Sequence, residues 1–267
     1  MTRLLALFLS LFFALEVFAA EPAADLPLED EPENFLDEAR RYTGCLKLAR
    51  KNPRKAFNNA IVWTNEEETG EEFPARHCLA AALLAMQNFS AAALLLEDLI
   101  GEIDDPTHPL KAELLRQAGQ AWLLDNQPED AEEKFTAALV ILPNDPDLFI
   151  DRSIAKAGRQ EYWQALEDLN RAIELAPDQV EPLILRSTTY RHLNGIALAR
   201  ADIDHALKLS PNNPDALFER GMIRYMQEDK EGAKEDWQSV LLFAPRSPLA
   251  QAAKKNLEKV SKGSAPK

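Results

Sequence analysis

Scarcity bounds this chain before any motif does. Among 267 residues there are only two cysteines, four histidines and nine glycines, and no useful stretch alternates apolar and polar residues with a period of two. The last absence excludes strands, so the expected fold class is all-α. The histidines, His77, His108, His192 and His205, are scattered, and no two have the i, i+4 spacing that sets two ligands on one helix face. His77 and Cys78 are adjacent, which points them in different directions around a helix and disfavours zinc there. Neither a glycine-rich phosphate loop nor a Gly-x-Ser-x-Gly elbow occurs. Carboxylates are abundant but carry no catalytic information on solvated helix faces. No catalytic residue, metal or cofactor is expected, and the chain reads as a non-enzyme. The acidic run 65–72, with five glutamates and Gly70, matches no calcium-loop spacing and reads as a solvated loop.

Positive charge is also in deficit. The net charge of -14 counts against nucleic acid and anionic membrane surfaces as partners, because both attract basic proteins. Solubility explains the acidity more simply than recognition of a particular ligand does. No apolar run is long enough to span a bilayer. The longest, residues 4–15, follows a short basic start at Arg3 and precedes small residues at Ala19 and Ala20. Residues 1–20 therefore read as a secretory signal peptide cleaved after Ala19 or Ala20, with no membrane span left after cleavage. Export to the periplasm is expected, with secretion as the alternative. Residues 21–34 are rich in proline and acid without an apolar period, and are expected to form a disordered leader.

What the chain does have is a ladder of prolines. Pro143, Pro177, Pro211 and Pro245 stand 34 residues apart. Before each proline the same sizes recur at fixed offsets. Alanine stands at Ala131, Ala165, Ala199 and Ala233, and a second small slot holds Ala138, Ala172, Ala206 and Val240. A bulky slot holds Phe135, Leu169, Ile203 and Trp237, another large one Leu115, Phe149, Leu183 and Leu217. A third small slot holds Gly119, Ser153, Ser187 and Gly221. Small residues let the two helices of a hairpin approach, large ones fill the space beside them, and proline stops the second helix. Leu115-x-x-Ala118-Gly119-x-x-Trp122, Ala131, Phe135, Ala138 and Pro143 resemble the pattern of the tetratricopeptide repeat family nearly slot for slot.

The resemblance implies a right-handed superhelical solenoid of helix-turn-helix repeats. Residues 111–247 hold four regular repeats and residues 35–110 two degenerate ones, the first turning at Asn52-Pro53 and the second at Gln87-Asn88-Phe89. Residues 248–267 supply a capping helix, apolar at Leu249, Ala252, Ala253, Leu257 and Val260, and a frayed tail. Members of the family hold a peptide or helix on the concave face lined by first helices. The slots that would line it here are Arg116, Gln120 and Leu123, then Ile150 and Ile154, then Ile184, Thr188 and Arg191, then Phe218, Met222 and Tyr225. Such a mainly apolar stripe is either packing between neighbouring repeats or an open groove. Family members that clamp C-terminal carboxylates use Lys and Asn on this face. Ile, Thr and Met stand there instead, so that clamp is not expected. The expected function is an exported scaffold binding a protein or peptide partner. The alternatives are a self-assembling envelope subunit that buries the same stripe, and an accessory module of an envelope enzyme.

Two further regularities are chemical. Arg152, Arg186 and Arg220 each precede Asp168, Asp202 and Asp236 by sixteen residues, whereas the first regular repeat has Ala118 and Lys134 in those slots. Arginine and aspartate occur together or not at all. One structural ion pair per repeat is expected, with a row of arginines reading an acidic ligand as the alternative. Cys45 and Cys78 fall on the first helices of the two degenerate repeats. Their three-residue stagger amounts to about 4.5 Å along a helix axis, close enough for a disulfide. Two separately buried thiols are the alternative.

Overall fold

The computed structural model describes residues 33–66 and 72–262. The expected signal peptide, most of the leader, the middle of the acidic loop and the C-terminal tail lie outside the described residues. Thirteen α-helices and no strand occur among the described residues, arranged in two compact units that meet in sequence at Pro143 and Asn144.

The N-terminal unit is three helical hairpins. They are α1 (Glu33–Lys51) with α2 (Pro53–Glu66), α3 (Glu72–Ala85) with α4 (Phe89–Gly101), and α5 (Pro109–Leu124) with α6 (Pro128–Ile141). First helices α1 and α3 pack side by side, and the Cys45–Cys78 disulfide joins them with Cα atoms 6.0 Å apart. Cys45, Ala60, Trp63, Ala75 and Cys78 form one buried cluster around it.

The C-terminal unit is α7 (Pro146–Gly158) with α8 (Tyr162–Leu175), α9 (Val180–His192) with α10 (Ile196–Leu209), α11 (Pro214–Met226) with α12 (Lys230–Phe243), and a single last helix, α13 (Pro248–Ser261). The third small slot, continued one period past Gly221, falls on exposed Lys255 of α13. No second helix follows it among the described residues, and α13 has a polar back while Leu249 and Ala253 are buried.

Local chemistry explains why the helices stop and start where they do. Leu142, Ala176, Ser210 and Ala244 precede the ladder prolines, and each has left the helical region, with φ between -119° and -139°. A proline ring clashes with a helical residue before it, so every second helix must end there. The next helix is capped within a few residues. Asp145, Asn213 and Ser247 accept hydrogen bonds from backbone N–H groups of the following turn, and proline occupies the first helical position after each. At the tight turn inside every hairpin after the first the chain passes through a left-handed residue: Gln87, Asn126, Gln160, Asn194 and Glu228, all with φ of 60–66°. The last four recur every 34 residues. At Asn126 the N–H of the next residue reaches back to Trp122 while its own reaches Leu123, which closes the helix with two otherwise orphaned carbonyls satisfied.

Inside each regular hairpin the size pattern becomes shape. Ala131, Ala165, Ala199 and Ala233 are completely buried, as are Phe135, Ile203 and Trp237. A Cβ placed on Gly119 would stand 2.6 Å from the Phe135 ring, so an aromatic residue fits across the hairpin only because the facing slot is glycine. Where that slot is serine, the facing residue is Leu169 or Ile203. Ser187 Oγ donates to the carbonyl of Ala199 on the partner helix at 2.8 Å, which satisfies its polar group in the core.

Candidate functional site: the first-helix face

Each regular repeat presents its first helix, α5, α7, α9 or α11, and the eleven face residues read from the sequence all lie on these four. The structure divides them sharply. In the C-terminal unit Ile150 and Ile184 are 4% exposed, Ile154 6% and Phe218 1%. Ile184 and Phe218 belong to one continuous core cluster with Leu183, Ile203, Leu217 and Trp237. The physical reason is that α9 and α11 pack directly against one another, so the larger side chains between them fill that seam. Ile184 and Phe218 are therefore packing between neighbouring repeats, and Ile150 and Ile154 are buried as well. Thr188, Met222 and Tyr225 remain partly exposed. In the N-terminal unit Arg116 and Gln120 are partly exposed, whereas Leu123 is buried.

Charge on this face is organised by carboxylates. Arg116 donates two hydrogen bonds to Glu113 Oε2, at 3.1 and 2.9 Å. Arg191 is held in a two-toothed pair with Glu219 of the next first helix, at 2.6 and 3.1 Å, and both side chains are nearly closed to solvent. Burial pushes the Glu219 carboxyl up, while Arg191 and Thr188 pull it down. This pair spans 28 residues and does not recur with the period, so no regularity in the sequence announces it.

A second set of acids recurs with the period. Asp147, Glu181 and Asp215 occupy the first turn of α7, α9 and α11, 34 residues apart. Burial, then the proximity of Asp147 and Asp215, pushes the Glu181 carboxyl up to about 7. Glu181 thus stands close enough to a carboxylate of each neighbouring repeat for them to add to the cost of its own ionisation.

The Arg–Asp slots form two-toothed pairs inside single hairpins. Arg152 donates to both oxygens of Asp168 at 2.9 and 2.7 Å, and Arg186 to both of Asp202 at 2.8 and 2.7 Å. Arg220 does the same to Asp236 at 3.0 and 2.6 Å. The aspartates are buried, and two hold a second cation: Lys156 on Asp168 at 2.7 Å and Arg224 on Asp236 at 2.9 Å. In the first regular repeat, Lys134 stands in the aspartate slot and turns to Glu97 of the preceding hairpin, 3.1 Å away. Glu97 also accepts from the Trp122 indole.

One buried polar chain lies outside the repeat pattern. Gln117 donates its amide N–H to Glu113 Oε1 at 2.8 Å, which leaves its carbonyl to accept from His77 Nε2 at 2.9 Å. His77 Nδ1 is then the acceptor for the Tyr42 hydroxyl. The chain ties α1, α3 and α5 together through neutral groups: burial lowers the His77 pKa and raises that of Tyr42 to about 12. No group of three or more His, Cys, Asp or Glu residues suited to a metal ion occurs among the described residues.

Residues 79–146 and 184–251, together just over half of the chain, match the family described as Tetratricopeptide repeat. The chain belongs to the tetratricopeptide repeat family. Sperm-associated antigen 1 of Mus musculus is 35% identical over 85 residues, 32% of this chain and 9% of that protein. The mitochondrial import receptor subunit TOM70 of Homo sapiens is 29% identical over 129 residues, 47% of this chain and 20% of that one. The chain thus spans at most about a fifth of the length of these relatives. Among solved structures, MamA from Desulfovibrio magneticus RS-1 is similar with a TM-score of 0.56 at 16% identity, covering 66% of this chain and 97% of that one. TTC0263, a thermophilic tetratricopeptide repeat protein of Thermus thermophilus, is similar with a TM-score of 0.58 at 20% identity, covering 70% and 99%. At that identity the likeness is one of fold. Tetratricopeptide repeats are scaffolds for protein–protein interaction, a type of fold that works without catalysis.

Proposed function

We propose that this protein is an exported scaffold that holds a segment of a partner protein along its first-helix face, and that the segment is polar and carries cations. One observation carries the reading. The large apolar residues of the face are closed into the core, while Asp147, Glu181 and Asp215 stand once per repeat in the first turns of its helices, with Thr188, Met222 and Tyr225 partly exposed two or more turns further along. A face of that composition draws positive charge by its field and offers an aromatic and a thioether for local contact. The same burial removes the isoleucines and Phe218 as a surface for self-assembly. Export is supported by the apolar run at residues 4–15 and by the Cys45–Cys78 disulfide, since such bonds persist in oxidising compartments.

Site-specific photo-crosslinking in cells tests the reading. A photoreactive residue at position 188 should capture a discrete partner, and one at the exposed Lys208 of second helix α10 should not. Capture from position 208 alone would reject this face.

A further inference from the structure

Helices α1 and α2 carry charge of the opposite sign to the rest of the chain. From Ala39 to Asn65 there are seven lysines and arginines and no carboxylate; with -14 overall, the remaining residues carry -21. Five of the seven, Lys47, Arg50, Lys51, Arg54 and Lys55, crowd around the α1–α2 turn at Asn52. All five are exposed, and none makes an ion pair among the described residues.

Their placement works against local stability. Arg50 and Lys51 occupy the last turn of α1, where the helix dipole favours cations. Arg54 and Lys55, however, occupy the first turn of α2, where the dipole opposes them and no acid accompanies them. The same positions of the first regular repeat, following Pro128 as these follow Pro53, are Glu129 and Asp130. The sign is inverted where inversion weakens the helix, so the charges are not explained by what they do for α2.

The face that carries these cations continues in apolar residues. Ile61 and Val62 follow Arg54 and Lys55 by seven residues, two turns onward on the same side of α2, and they are 38% and 53% exposed. An acidic protein segment would call for the cations alone. Cations beside exposed aliphatic side chains on one helix face suit an anionic bilayer, with phosphates for the charges and the headgroup boundary for the aliphatics.

We infer that the α1–α2 hairpin docks on a membrane surface rich in anionic phospholipid, through Lys47, Arg50, Lys51, Arg54 and Lys55, with Ile61 and Val62 in contact with the lipid. The overall charge of the chain opposes such a surface; the local charge reverses that, and repulsion of the acidic remainder leaves this hairpin as the part that approaches. The docking residues are distinct from those of the first-helix face, so either reading can fail alone.

The test is flotation of the full chain with vesicles of pure phosphatidylglycerol against vesicles of pure phosphatidylcholine. The apolar run at residues 4–15 and Arg3 before it are the same in the wild type and the variants, so the change between them reads the hairpin. Retention should be much greater on phosphatidylglycerol, and the difference should vanish at high salt. The double variant Arg54→Glu, Lys55→Asp restores the charges of α6 and touches no buried residue, and should partition onto phosphatidylglycerol at least about 20-fold more weakly. Val62→Ser should weaken retention without changing its salt dependence. Equal retention on the two lipids, or a double variant that keeps the wild-type preference, would overturn the inference. So would displacement from phosphatidylglycerol by poly-glutamate at matched charge concentration, which would assign the cations to an acidic protein segment.

Discussion

Gly221 and Trp237 are a fitted pair: a Cβ on the glycine would stand 2.5 Å from the indole Nε1, which itself donates to the Phe218 carbonyl at 3.3 Å. Sixteen residues separate glycine from tryptophan, as they separate Gly119 from Phe135, Ser153 from Leu169 and Ser187 from Ile203. Gly221→Ser alone should destabilise by about 1–3 kcal/mol through overpacking. Trp237→Leu alone should cost about 3–5 kcal/mol by opening a cavity. The double variant recreates the Ser153–Leu169 pairing and should cost less than the two together by at least about 1 kcal/mol. Urea unfolding of the four proteins measures this, and strict additivity would contradict a fitted pair.

Asp202 accepts both teeth of the Arg186 guanidinium in a buried setting, whereas Asp204 pairs with Arg200 one turn away at the surface. Asp202→Ala leaves the half-buried Arg186 with only Asn170 as a partner and should cost about 2–3 kcal/mol. Asp204→Ala should cost no more than about 0.5 kcal/mol. Thermal unfolding separates them, and equal small effects would mean the pair contributes little.

The left-handed turn residues Gln160 and Glu228 have φ of 65° and 66°, a region where a Cβ is strained. Replacing either by glycine should stabilise by about 0.5–1 kcal/mol despite the greater freedom of glycine in the unfolded chain. The same change at Asn126 or Asn194 should gain less, because asparagine tolerates this conformation. Chemical denaturation of the four single variants gives the ranking.

Glu181 supplies the pH dependence. Its folded pKa is raised from the usual 4.5 to about 7, so between those values the native state holds a proton that the unfolded chain has released. The contribution to stability is fully present below about pH 4.5 and is lost as pH rises through 7. Glu181→Gln removes the buried charge and should raise thermal stability at pH 8, by a free energy of about 1–3 kcal/mol, with little effect at pH 4. Equal shifts at both pH values would show that Glu181 is not under this strain.

The architecture was legible in the sequence because it repeats. Proline stops, alanine contacts and the sixteen-residue offset of arginine from aspartate each occur several times in register, and each occurrence corroborates the others. The Cys45–Cys78 disulfide was legible for a related reason, since neighbouring first helices place residues at matching heights side by side. Single events were not legible. Arg191 reaches Glu219 in only one pair of repeats among the described residues, and the Tyr42–His77–Gln117 chain runs through degenerate repeats where no period guides the eye. Exposure on the face was ambiguous as well. Ile184 and Thr188 lie one turn apart on the same helix and both reach the neighbouring repeat, Ile184 in the core with Phe218 and Thr188 at Glu219, but only Ile184 is closed to solvent. At the hairpin turns, asparagine announced the left-handed residue at two positions, while Gln160 and Glu228 gave no such sign.

The central claim is that the carboxylates of successive first helices draw a cationic segment onto that face. Its most direct test is the affinity of the partner captured from position 188, titrated by calorimetry against the wild type and the triple variant Asp147→Asn, Glu181→Gln, Asp215→Asn at two salt concentrations. The account predicts at least about a tenfold loss of affinity in the variant and a much shallower dependence on salt. Unchanged affinity with an unchanged salt dependence would contradict it.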